Sequence, residues 1–182
     1  MSSLPRVTHI LEEAALGPDF GAATPADLEA GRRRGARVHA AIEADHYGYP
    51  VDIPPAIAPY LDAYRKFVAE SGHEPIASEV EVIHPAWQYV GHVDRVGWLL
   101  GRRAILDWKS GGPPDLKAAG DQLSGYKLAW NAMHPGEPVE ALGVLHLRED
   151  GTYRFHEIAG AEHEQVFLAA VVVYRTRKER GR

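Results

Sequence analysis

The sequence predicts an α/β (α+β) fold with the element order α, α, β, β, β, α, β, β, α, and three observations support it. Apolar residues recur at helical spacing through the first third of the chain, alternate with a period of two through the middle, and return to helical spacing twice afterwards. The composition, 45% hydrophobic and 25% charged over 182 residues, belongs to a chain able to bury a full core. No internal repeat, low-complexity tract or linker divides it, so one domain over residues 1–182 is expected.

In TPADLEAGRRRGARVHAAIEAD, Thr24 is placed as the N-cap and Pro25 at the first helical position, with helix formers continuing to Asp45. Ile57, Tyr60, Leu61, Tyr64, Phe67 and Val68 recur at helical spacing in a second helix, which Gly72 ends. IASEVEVI (76–83), QYVGHVDRVGWL (88–99) and RRAILDWKS (102–110) alternate as three strands of a meander, the last two joined near Gly101. PPDLKAAGDQLSGYKLAWNAMH (113–134) returns to helical character, weakened at Gly120 and Gly125 because glycine is a poor helix former. VEALGVLHLRED (139–150) and TYRFHEI (152–158) form a strand pair across Asp150-Gly151. A C-terminal helix beginning AEHEQVFLAAVVVY, with its basic tail, occupies 161–182.

Composition also bounds the chemistry. With no cysteine there is no disulfide, thiolate metal site or iron-sulfur cluster, so a metal must be held by carboxylate, imidazole or carbonyl groups, which suits Mg²⁺ or Mn²⁺. The net charge of -5 is unusual for a binder of polyanions, yet positive charge is gathered locally. Arg32, Arg33, Arg34 and Arg37 crowd one stretch, Arg102 and Arg103 form a pair, and the tail carries Arg175, Arg177, Lys178, Arg180 and Arg182. Singly, such runs read as solvated faces. The N-terminus MSSLPRVTHILEEAALGPDF lacks a basic segment followed by an apolar one, and no apolar stretch is long enough to span a bilayer, so a cytoplasmic protein without membrane partners is expected. No Walker loop, GxGxxG, HExxH or GxSxG is present.

ILDWKSGG (105–112) sets an acid and a base two positions apart on a hydrophobic strand. Side chains alternate across a strand, so Asp107 and Lys109 share one face and Trp108 takes the other. A hairpin of this length brings Asp94 opposite, and two carboxylates that close repel unless a cation holds them. An ammonium beside a metal-bound water suits phosphodiester hydrolysis. Taken alone, an Asp-x-Lys pair on a strand is a surface ion pair worth ~0–1 kcal/mol. His39 alone reads as a core histidine, and Trp130 as a packing residue. Glu79 and Glu81 share a face, so the alternation does not choose between them.

Four separated segments, GARVHAAIE (35–43), GHVDRV (91–96), ILDWKSG (105–111) and QLSGY (122–126), together resemble the PD-(D/E)XK nuclease superfamily, and within it the RecB-like exonuclease branch with its phage-type and mitochondrial genome maintenance enzymes. The resemblance spans residues 31–158 and implies a restriction-endonuclease-like core, a central mixed sheet flanked by helices in the order αβββαβ. It implies Asp94, Asp107 and Lys109 as catalytic residues, with Glu79 as a further acid one strand earlier. It implies His39, Asp94, Asp107 and the Trp108 backbone carbonyl as ligands of one or two Mg²⁺ or Mn²⁺ ions. Gln122 and Tyr126 match a QxxxY motif that supports the site or the DNA backbone, and Arg32, Arg33, Arg34 and Arg37 are expected to receive phosphates.

The expected activity is that of a metal-dependent DNA exonuclease in recombination, repair or phage DNA processing, belonging to the subset without an iron-sulfur cluster. Its expected partner is DNA, single- or double-stranded, with a free end, and a homo-oligomer or a recombination protein is a further candidate. A catalytically silent DNA-end-binding module and an endonuclease of the same superfamily are the alternatives.

Overall fold

The computed structural model describes residues 4–181; the first three residues of the N-terminal stretch and Arg182 of the basic tail lie outside them. The elements are α1 (Val7–Glu13), α2 (Pro25–Tyr47), α3 (Ala58–Ser71), β1 (Glu74–His84), β2 (Tyr89–Leu99), β3 (Arg102–Ser110), α4 (Leu116–Met133), β4 (Ala141–Leu147), β5 (Tyr153–Ile158) and α5 (Glu162–Arg180). The strands form one mixed sheet in the order β1-β2-β3-β4-β5, antiparallel except for β3 and β4. Parallel neighbours need a long crossover, and α4 supplies it. This is the restriction-endonuclease-like α+β architecture that the sequence resemblance implies.

Local chemistry explains where the helices begin and end. At α2 the Thr24 hydroxyl accepts from the Asp27 N–H (3.2 Å) while the Asp27 carboxylate accepts from the Thr24 N–H (3.0 Å), a reciprocal capping box. Gly48, at φ 68°, ends the helix in the left-handed region. At α4 the Asp115 carboxylate accepts from the Lys117 and Ala118 N–H groups.

The helices cover both faces of the sheet. Ile10, Leu123 and Phe167 from α1, α4 and α5 pack with Val93 and Ile105 in one buried cluster, and Ile42, Leu61 and Phe67 from α2 and α3 pack with Leu106 and Leu145 in the other. Ile105 and Leu106, adjacent on β3, therefore belong to different layers, as a strand covered on both faces requires. Burial of each such side chain stabilises the fold by ~1.5–3 kcal/mol.

Two outcomes differ from the sequence expectation. The helix α4 runs unbroken through Gly120 and Gly125, because α5 packs against it there: a Cβ at Gly120 would lie 2.6 Å from the His163 ring and one at Gly125 would lie 2.8 Å from the Phe167 ring. Close helix packing outweighs the weak propensity of glycine. The helix α1 was not expected; at seven residues it is too short to stand alone and is ordered by burial of Val7, Ile10 and Leu11. Among the described residues no helix is long and apolar enough to cross a membrane.

The same kind of close approach ties β2 to α4. A Cβ at Gly91 would lie 2.5 Å from Tyr126 Cδ1 and 3.3 Å from Val82, so Gly91→Ala is expected to lower stability in urea unfolding by ~1–3 kcal/mol. Gly112→Ala, which meets nothing within 4 Å, is expected to change it by less than ~0.5 kcal/mol.

Candidate active site

The β2–β3 ladder runs from Leu99↔Arg102 to Arg95↔Leu106 and then stops. One step further, where Asp94 would pair with Asp107, the Asp94 side chain takes over: its Oδ2 accepts the Trp108 N–H at 2.8 Å. A strand residue directs its N–H and C=O toward the same neighbouring strand. With β2 parting there, the Trp108 carbonyl is also released, and it accepts from His39 Nε2 at 3.2 Å. A carbonyl only accepts, so Nε2 carries a proton.

That bond aims Nδ1 of His39 at the acids, 3.5 Å from Glu79 Oε1 and 3.5 Å from Asp94 Oδ1. The ligand atoms of His39, Glu79 and Asp94 all lie within 4.8 Å of one another. Irregular backbone makes the gathering possible. The ladder pairs Ser78↔Arg95 and Val80↔Val93 leave Glu79 and Asp94 between them, and Glu79 adopts φ 51°. A left-handed conformation at a non-glycine residue costs ~1–3 kcal/mol and marks a position held by its surroundings. In β2, Val93 and Val96 join the same buried cluster although three residues apart, so its alternation slips once beside Asp94.

Asp107, 3% exposed, faces the α4 layer. Lys109 Nζ lies 2.8 Å from its Oδ2 and donates to its Oδ1 at 3.1 Å; in hydrogen-bonding geometry Oδ2 accepts nothing. Gln122 Nε2 donates to the Tyr126 hydroxyl at 2.9 Å and reaches Asp107 Oδ1 at 3.5 Å, so the two residues of the QxxxY motif share the helix face above Asp107.

Crowding sets the protonation. Burial and the Asp107 charge push Asp94 up to about 7, against the pull of His39, Lys109 and the Trp108 N–H. Burial works against the imidazolium of His39, but Asp94, Glu79 and Asp107 lift it to about 9. Burial likewise opposes the Lys109 ammonium, and Asp107 and Asp94 overcome it, raising its pKa. Burial raises the Tyr126 hydroxyl, with Asp107 and Asp94 adding to the effect and Gln122 and Arg6 opposing it.

Seven residues expected from the sequence thus converge: His39, Glu79, Asp94, Asp107, Lys109, Gln122 and Tyr126. Glu79 rather than Glu81 joins them, since Glu81 lies outside, 3.8 Å from His92. The Trp108 carbonyl, expected as a metal ligand, is engaged by His39. The arginines of α2 divide by what their side chains reach. Arg32 and Arg34 line a cavity of about 570 Å³ together with His39, Lys109 and Gln122. Arg33 and Arg37 do not line it; both are exposed, and Arg33 pairs with Glu29 at 3.4 Å. Trp130 is buried in the core, its Nε1 donating to the Glu137 carbonyl.

Two residues at the site escape sequence reasoning. Arg95 is fully buried behind Asp94, donating from Nη2 to the Tyr64 hydroxyl at 3.2 Å and lying 6.0 Å from the Trp108 ring centroid. A charged residue inside an otherwise buried strand was the available signal. Arg6, brought in by a bridge to Val90, places positive charge near Tyr126, and no sequence pattern announces it.

The sequence profile of the PD-(D/E)XK nuclease superfamily matches residues 52–174. The chain belongs to that superfamily. The matched stretch of this PD-(D/E)XK protein holds Glu79, Asp94, Asp107, Lys109, Gln122 and Tyr126, whereas His39 and the α2 arginines precede it. The chain is similar in structure to a phage-related exonuclease from Haemophilus somnus 129PT, at 13% identity and a TM-score of 0.49, over 95% of this chain and 92% of that one. It is also similar to an alkaline exonuclease from Laribacter hongkongensis, at 13% identity and a TM-score of 0.39, over 97% and 93% of the respective chains. No curated protein matches it significantly in sequence.

The protonation pattern makes the stability of the metal-free protein pH-dependent. Asp94, at about 7 against an ordinary 3.8, and His39, at about 9 against 6.5, both bind protons more tightly when folded. The His39 contribution is fully present below 6.5 and lost as pH rises through about 9, and the Asp94 contribution is lost earlier, as pH rises through about 7. Urea unfolding in a chelator is expected to show stability falling by roughly 2 kcal/mol between the neutral and alkaline ends of the His39 window, and His39→Gln to flatten that fall.

Proposed function

We propose that the protein is a divalent-metal-dependent DNA exonuclease that hydrolyses phosphodiester bonds at His39, Glu79, Asp94, Asp107 and Lys109. The observation behind this is the convergence of three carboxylates, an imidazole and an ammonium where β2 parts from β3. Carboxylates this close repel one another, and a cation relieves the repulsion.

The donor set fits a hard divalent ion. His39 Nδ1, Glu79 and Asp94 offer one nitrogen and two carboxylates within reach of a single ion, and Asp107 adds a buried oxygen that accepts no hydrogen bond. Mg²⁺ or Mn²⁺ held there would supply Lewis-acid stabilisation of the charge that develops on a phosphoryl oxygen. Lys109, beside Asp107 at the edge of the cavity, orients the attacking water and donates toward the same oxygen. Gln122 and Tyr126 hold Asp107 and the approaching backbone in place, and the Trp108 carbonyl fixes the tautomer of His39 so that Nδ1 faces the acids. Arg32 and Arg34 receive phosphates from the strand being digested. The QxxxY helix and the histidine-bearing helix favour an exonuclease. A single nuclease domain over the whole chain accords with both core layers packing on one sheet.

Asp107→Ala is expected to abolish cleavage of end-labelled linear DNA while preserving circular dichroism and DNA binding; undiminished cleavage by the purified variant overturns the assignment. The wild type is expected to leave covalently closed circles intact, and nicking or linearising them would make it an endonuclease. Mn²⁺ is expected to raise the Tm and, in calorimetry across two buffers, to release protons on binding, with affinity increasing from pH 6 to 9. Asp94→Ala is expected to lose both effects.

A further inference from the structure

The loop between α1 and α2 carries Phe20, an aromatic side chain 58% exposed. It lines the 570 Å³ cavity that Lys109, His39 and Gln122 also line, so the ring and the reacting groups share one enclosure. The backbone that carries the ring is an anchored turn. Asp19 N–H donates to Asp115 Oδ2 at 3.2 Å, Gly21 N–H to Asp19 Oδ1 at 2.8 Å, and Ala23 N–H to the Phe20 carbonyl at 3.1 Å. With the backbone anchored, only the side-chain torsions of Phe20 are left to be fixed when something stacks on it.

The open donors of the same cavity suit an anion. Its three carboxylates, Asp19, Asp27 and Asp115, all accept hydrogen bonds from backbone N–H groups. Lys109 is paired with Asp107, but Arg34 donates only from Nη2, to the Ser110 carbonyl at 3.3 Å, and its Nε is buried without a partner. A cavity of 570 Å³ is in the range of pockets that enclose a small molecule. That volume holds a nucleotide or two of one strand.

Resting on the nuclease assignment above, we propose that this cavity seats an unpaired strand of DNA, with a base stacked on Phe20 and its phosphates on Arg32 and Arg34, so that the adjoining phosphodiester lies at Lys109. The substrate is therefore single-stranded DNA. In a duplex the bases are stacked on each other and offer Phe20 no face, whereas every unpaired base has one.

The test compares wild type, Phe20→Ala and Phe20→Trp on 5′- and 3′-labelled single-stranded and blunt double-stranded oligonucleotides in Mg²⁺. The wild type is expected to prefer the single strand, and Phe20→Ala to raise KM for it by about fivefold or more, with a larger effect on KM than on kcat. Phe20→Trp is expected to restore the wild-type KM. Independently of turnover, an oligonucleotide with 2-aminopurine near its end, bound to the Asp107→Asn protein, is expected to lose fluorescence through stacking, and Phe20→Ala in that background to recover it. Equal wild-type cleavage of both substrates, or an undiminished quench without Phe20, overturns the stacking inference and leaves the nuclease assignment standing. Absence of cleavage of any DNA by the wild type overturns that assignment itself.

Discussion

The site depends on one substitution of hydrogen-bond partners: the Asp94 carboxylate stands in for the main chain of β2 at the Trp108 N–H. Buried backbone donors must be paired, so a strand can leave a sheet interior only where something replaces it. Asp94 does this while keeping its second oxygen toward His39. The freed carbonyl of Trp108 then holds the other side of the same imidazole. Because β3 remains paired to β4 as far as Ser110↔Leu147, the strand bearing Asp107 and Lys109 is not loosened by the departure of β2. The gap opens beside a strand that stays paired, as the proposed metal site requires.

Charge inside this gap is only partly balanced by the protein. Glu79, Asp94 and Asp107 face His39 and Lys109, while Arg95 lies in the opposite layer with Nε and Nη1 unpartnered. Burial lowers the pKa of Arg95, and Tyr64, Tyr47, Glu79 and Asp94 oppose the effect. A buried guanidinium without a bonded carboxylate is costly, and its position behind Asp94 and against the Trp108 ring gives it an electrostatic role toward the acids that no hydrogen bond records. Strain at Glu79 and unpaired charge at Arg95 therefore fall at the same place in the sheet, as expected where local stability is traded for geometry.

Packing transmits the position of α4 to the site. Tyr126 rests on Gly91 of β2, Tyr89 donates to the Gly125 carbonyl at 2.8 Å, and the ring of Phe167 fills the space that a side chain at Gly125 would take. Asp121, buried beside Gln122 in sequence, bonds His163 Nδ1 at 2.7 Å, so α5 grips the helix one residue from the group that touches Asp107. The helix that crosses from β3 to β4 is thus fixed from both sides, and Gln122 and Tyr126 are placed by its glycines as much as by their own contacts.

Periodicity, together with the Thr24-Pro25 start of α2 and the turn residues Gly72, Gly101 and Asp150-Gly151, determined nine of the helices and strands, because caps, turns and buried faces are written in their residues. It also set Asp107 and Lys109 on one face of β3, since strand alternation leaves no other arrangement. The short helix α1 was not legible, because seven residues acquire helical structure only by packing. Tertiary structure decided the rest. It chose Glu79 over Glu81 through a left-handed backbone that breaks the alternation, separated Arg32 and Arg34 from Arg33 and Arg37 around α2, and buried Arg95 behind the acids. These choices depend on where a strand stops pairing and which loop closes over it, and such long-range geometry leaves no period in the sequence.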